Sequence, residues 1–164
     1  MDGLNLDVKA RIYLQSEAVF SRAKMKGALE VMMDRLRGCR QLLSFYDIAD
    51  QISLQSAIDR GLHDIRLENI IGSMGRYHDF TRHFLPRNSD QGSRERWRTI
   101  YTLAVTGQGF PPIEVYKIDQ VYFIRDGHHR ASVAGVLGWP TIQAYVTELP
   151  AAPPLKHNCS GITF

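Results

Sequence analysis

The chain reads as an α+β protein: a small mixed sheet with helices, preceded by an N-terminal helical segment. Three observations predict this. Residues 7–43 hold no proline and place apolar side chains at near-helical spacing. Two β-branched and aromatic runs, 113–118 and 121–125, are separated only by Asp119 and Gln120, the pattern of a hairpin. After the second run, Asp126-Gly127-His128-His129-Arg130 leads into Ala131, Val133, Ala134, Val136 and Leu137, apolar positions that suit a short helix on a sheet.

Along the first segment, Ile12, Val19, Phe20, Ala23, Ala28, Leu29, Met32, Met33, Leu36 and Leu43 are expected to form one stripe. Basic side chains such as Arg22, Lys26 and Arg35 stand elsewhere around it. Such a helix, or two helices broken near Gly27 or Gly38, packs on the core or on a second copy of the chain, a homodimer. Its basic residues also suit nucleic acid. Residues 42–48 lead into a second helical pattern ending near Arg60-Gly61, and 63–67 alternate as a strand.

Gly72-Ser73 and Gly75-Arg76 then read as a glycine-bearing turn. Small residues there permit close backbone approach to a ligand, Ser73 offers a hydroxyl and Arg76 a guanidinium fork. Residues 76–86, rich in aromatic, histidine and arginine side chains, form either a loop pinned by Phe80, Phe84 and Leu85 or a lid over a bound anion. An exposed loop (87–92) precedes a helix from Ser93 to about Gly107 that carries Trp97, Ile100, Tyr101 and Leu103. Phe110-Pro111-Pro112 is a rigid connector. The hairpin, the short helix (stopped at Gly138) and a closing strand at 141–146 complete the order. The divisions expected are 1–62 for the helical segment, 63–149 for the sheet domain and 150–164 for a loose tail.

Composition narrows the function classes. With 164 residues, 44% hydrophobic and 23% charged, the chain suits one soluble domain with a core. No apolar run reaches membrane-spanning length, and the first residues lack a basic segment followed by an apolar one. Cys39 and Cys159 suggest neither a disulfide framework nor a metal ribbon, so a cytoplasmic protein with reduced thiols is expected. The net charge of +3, carried mainly by arginine, is compatible with a nucleotide or nucleic-acid partner.

The chemistry concentrates where the strand hands over to the helix at Asp126–Arg130. Unpaired N–H groups and the helix dipole favour an anion there. Gly127, His128, His129 and Arg130 are therefore expected to bind phosphate or carboxylate, with Ser73, Arg76 and Ser132 as further contacts. Adjacent histidines diverge by about 100° on a helix, so they do not chelate one ion and no metal site is expected. Either imidazole can act as acid or base. Asp126 is expected to cap the helix, with Mg²⁺ binding or proton acceptance as the alternatives. Glu114, on the paired strand, is either solvent-facing or a general base.

The order strand, glycine–arginine turn, helix, Pro-Ile-x-Val strand (Pro112-Ile113-Glu114-Val115), hairpin, Asp-Gly-His-His-Arg, helix and strand resembles the ParB/sulfiredoxin superfamily over residues 64–146. Gly127-His128-His129-Arg130, followed by small Ala131 and Ala134, looks like the Gly-x-x-Arg phosphate loop of the ParB N-terminal-like domain. The resemblance implies a nucleotide (CTP, ATP or ADP) with Mg²⁺ as cofactor. It also implies a nucleotide-binding role, such as that of a DNA-associated regulator or partition-type factor. The alternative it implies is a phosphotransferase on a small hydroxylated substrate, like the free serine kinases, in which Glu114, Asp126, His128 and His129 are the catalytic candidates. Sulfiredoxins carry a cysteine where this chain has His128, so sulfinic-acid reduction lacks its nucleophile here. A ParB-like nuclease ranks behind these, because no carboxylate cluster suited to two metals is visible.

Overall fold

The computed structural model describes residues 6–38, 42–49, 52, 54–87 and 90–150. Cys39, Cys159 and nearly all of the expected tail lie outside the described residues. The architecture is a six-stranded mixed sheet with helices, preceded by an N-terminal helix. Its strands are β1 (Leu43–Ser44), β2 (Ile58–Arg66), β3 (Ile70–Ser73), β4 (Ile113–Ile118), β5 (Val121–Asp126) and β6 (Thr141–Leu149). The helices are α1 (Leu6–Arg37), α2 (Tyr46–Ala49), α3 (Gln91–Val105) and α4 (His128–Val136).

The sheet order is β1-β3-β5-β4-β6-β2. β1, β3 and β5 run parallel, β4 pairs antiparallel with β5 through the expected hairpin, and β6 lies parallel to β4 and antiparallel to β2. Parallel pairing of β3 with β5 puts Ser73 opposite Ile124. Both strands therefore end at the same end of the sheet, and the loop after β3 meets the helix after β5. Apolar side chains of β4, β5, β6 and α4, with Phe80 and Phe84 from the loop, form the main core. A second cluster joins Phe45, Ile48 and Ile52 to Phe123 on the other face.

Several expectations change. The helical pattern expected to end near Arg60-Gly61 is one short helix and a 3₁₀ turn (Leu54–Ser56), after which β2 already begins at Ile58. Gly61, at φ 74°, sits at a bulge in that strand and does not end a helix. Leu43-Ser44 is a strand because its backbone pairs with Gly72-Ser73. Gly72 and Ser73 are accordingly strand residues, not a turn. A Cβ on Gly72 would collide with the Phe123 ring and stand 2.8 Å from the Leu43 carbonyl, so this glycine makes room for the core and not for a ligand.

The N-terminal helix is continuous through Gly27 and ends at Gly38, whose φ of 68° suits the left-handed position after a helix. Its buried face carries Ser16, Phe20, Ala23, Gly27 and Asp34, whereas Leu29, Met32, Met33 and Leu36 of the expected stripe are exposed. Two features explain that choice of face. Phe20 packs edge-on against Trp97 of α3 at 5.4 Å between ring centres, and Arg98 lies 4.0 Å over the Tyr13 ring while donating to Ser16 Oγ and the Tyr13 carbonyl. Small residues along this face let α1 come close to its neighbours.

Candidate anion site at two helix N-termini

Helix α4 starts at a backbone position that only glycine tolerates. Gly127 has φ 102°, and a Cβ there would stand 2.5 Å from Ile113 Cγ2. As the N-cap residue it supplies no side-chain hydrogen bond, so the first-turn N–H groups have no side-chain cap. The expectation that Asp126 caps this helix is therefore corrected. Its carboxylate instead pairs with Arg130 one turn on. Arg130 also donates to the Pro111 carbonyl at 3.0 Å and to the Pro112 carbonyl, fastening α4 to the connector before β4. This guanidinium works as a clamp within the fold.

Helix α3 runs beside α4 in the same direction. Ser93 Oγ meets His129 Nε2 at 2.8 Å, and one turn further Trp97 Nε1 donates to Ser132 Oγ at 2.9 Å. The N-termini of both helices thus lie together at the end of the sheet where β3 and β5 finish; that of α3 already carries the Asp90 carboxylate, whereas that of α4 has no side-chain cap. Asp90 caps α3 by accepting from the Ser93 N–H. Ser132 is drawn into the α3–α4 interface, buried with its hydroxyl on the Trp97 indole, and does not face the loop with Gly127.

His128 and His129 are 7% and 6% exposed. Phe80 holds both: its ring stacks on His128 at 6.1 Å and meets His129 edge-on at 5.4 Å. His128 Nε2 contacts the buried Ser73 hydroxyl, which also bonds to the Gly75 carbonyl and accepts from the Gly75 N–H at 3.1 Å. Burial, then the positive charge of Arg76, lowers the pKa of each imidazole to about 4, and Arg96 adds to the effect at His129. Both are neutral at pH 7. Asp126 and Asp79 pull the pKa of His128 the other way without prevailing.

The loop that covers this cluster is hydrogen-bonded across itself. Thr81 N–H donates to Leu85 O, Phe84 N–H to Thr81 O and Arg87 N–H to Asp79 O, and Phe80 bridges to Pro86. Phe80 and Phe84 are buried, which is the pinned-loop expectation and not a loose lid. Arg76, at φ 53°, pairs with Asp79 at 3.6 Å and remains 44% exposed. The Nε of Arg82 in the same loop is buried without a hydrogen-bond partner among the described residues. Glu114 lies opposite Asp126 in the β4–β5 register, beside the start of α4, but its carboxylate turns to the solvent side and pairs with Arg125 at 2.6 Å. Among the described residues no three His, Cys, Asp or Glu side chains gather as a metal-ligand group.

Ser73, Arg76, Gly127, His128 and His129 are thus brought together, whereas Glu114 and Ser132 are engaged elsewhere. Sequence reasoning missed Phe80, Ser93 and Arg96 as neighbours of the histidines. Ser93-Arg94-Glu95-Arg96 was legible as a helix start, but nothing local indicates that this start adjoins α4.

No protein-family model matches the chain, and no curated protein matches it. Among solved structures it is similar to sulfiredoxin from Arabidopsis thaliana, with 23% identity over 54% of this chain and 86% of that one, at a TM-score of 0.40. No described helix is long and apolar enough to cross a membrane.

Proposed function

We propose that the protein binds the phosphate groups of a nucleotide at the joined N-termini of α3 and α4. The observation that carries this reading is the start of α4, which has no side-chain cap and lies beside a second helix N-terminus, with Arg76 acting electrostatically on both of its histidines and Arg96 on His129. Phosphate would accept from the α4 first-turn N–H groups and from the guanidinium of Arg76, freed from its long pair with Asp79. The neutral imidazoles each keep one N–H to donate and otherwise shape the wall. Mg²⁺ typically binds through one or two carboxylates together with the ligand's phosphates, a pattern that Asp79 or Asp126 fits without a preformed cluster.

Binding is favoured over phosphoryl transfer by the position of Glu114. The residue expected as general base is tied to Arg125 on the solvent side, and His128 is shielded by Phe80 and Ser73. The test is isothermal titration with CTP, ATP, ADP and GTP, each with and without Mg²⁺. Saturable binding by the wild type is expected, weakened about tenfold or more in Arg76→Ala through loss of a charge-assisted hydrogen bond. Absence of binding to every nucleotide would overturn the reading, as would an Arg76→Ala variant that binds unchanged.

A further inference from the structure

The exposed side of α1 carries an apolar ridge. Met25, Leu29, Met32 and Leu36 recur at intervals of four, three and four residues, the seam spacing of a coiled coil. They are 72%, 55%, 52% and 77% exposed, on the face opposite Phe20, Ala23 and Gly27, which pack inward. The acidic residues of this half of the helix also turn inward: Asp34 is buried and Glu30 pairs with His83 of the loop. A helix that buries glycine, serine and aspartate while exposing methionine and leucine has its strongest apolar face without a partner among the described residues. With Met33 added, that face offers on the order of 500 Å² of apolar surface, in the range of the largest patch a monomer exposes, which is often a functional contact.

We propose that this ridge pairs antiparallel with the same ridge of a second copy of the chain. The seam is self-complementary about its midpoint: Met25 meets Leu36 of the partner subunit, and Leu29 meets Met32 of the partner subunit. In this orientation each flank of the seam faces its own counterpart. Lys26 then lies against the partner's Met33 and Arg35 against the partner's Ala28, so the aliphatic stems cover apolar surface and no cations are forced together. A parallel pair in register would instead oppose Arg22 to itself, since the same spacing extended one step places Arg22 in the seam. Even with the flanking stems, the contact lies below the ~800 Å² per partner of a standard interface, at the low end of specific ones.

Sedimentation equilibrium of the full chain, from low micromolar concentration upward, reads the prediction. A mass twice that of one chain is expected, falling to that of one chain in Leu29→Glu/Met32→Glu, with the far-UV circular dichroism of the wild type retained. A single-chain mass at every concentration would overturn the proposal, as would a dimer that persists in the double variant. Orientation is read with Met25→Cys/Leu36→Cys in a Cys39→Ser/Cys159→Ser background. Disulfides joining position 25 to position 36 are expected, and links between like positions would overturn the antiparallel pairing. A single-chain species that co-sediments with phosphatidylserine vesicles would also overturn it, and would assign the ridge to an anionic membrane surface.

Discussion

His128 and His129 are held neutral by burial and by the nearby guanidinium of Arg76, whereas in the unfolded chain they protonate near pH 6.5. Between that value and about 4 the unfolded state binds more protons than the folded one. Stability is therefore full above pH 6.5, falls as the pH drops through this window and levels off below it. The loss for the pair is on the order of a few kcal/mol. Urea midpoints measured from neutral pH downward check this, and His129→Gln should flatten the profile; an unchanged slope would contradict the assignment. Arg130 gives a second contrast. Arg130→Ala removes two bonds to proline carbonyls and the pair with Asp126, for an expected loss of about 2 kcal/mol in calorimetric unfolding. Arg76→Ala, at an exposed side chain, should leave the melting temperature nearly unchanged. The Gly127-His128-His129-Arg130 motif was legible as a helix start, because glycine, dipole and charge are local properties. That Arg130 would bind carbonyls of the connector was not legible, since Pro111 and Pro112 reach it only through the tertiary fold.

At the scale of the element, α1 shows where periodicity misleads. Its apolar residues were expected to form one stripe packed on the core or on a second copy of the chain, yet within one chain the buried face is the one with small residues, which permits close approach to α3 and the loop. Gly27 marks the tightest point: a Cβ there would stand 2.9 Å from the Pro86 carbonyl oxygen and 3.2 Å from Leu85 Cβ. Alanine gains about 1 kcal/mol in helix propensity over glycine, but forcing the backbone of a packed loop aside costs about 1–3 kcal/mol. Gly27→Ala is thus expected to lower the melting temperature, and a rise would show that the loop yields freely. The hairpin, α3 and α4 were all legible, since their turn residues and periods agree with their tertiary roles. β1 and the start of β2 were not: Leu43-Ser44 and 58–62 have no strand pattern of their own and are drawn into the sheet by pairing with β3 and β6.

For the whole molecule, the parallel pairing of β3 with β5 decides which residues meet at the candidate site. It sets the loop after Ser73 beside the helix after Asp126, and the packing of Trp97 on Ser132 brings a second helix start to the same end of the sheet. The fold class follows from the order of elements in the sequence, but the meeting of two helix N-termini is a property of the assembled sheet and no single stretch announces it. Amide chemical shifts under nucleotide titration test this meeting point most directly. Adding ATP with Mg²⁺ to the ¹⁵N-labelled protein should move the amides of His128, His129 and Arg130 first, with those of Gly75, Arg76, Gln91 and Gly92, at one common midpoint. Shifts confined to another part of the sheet, or none at all, would contradict a phosphate site at the N-termini of α3 and α4.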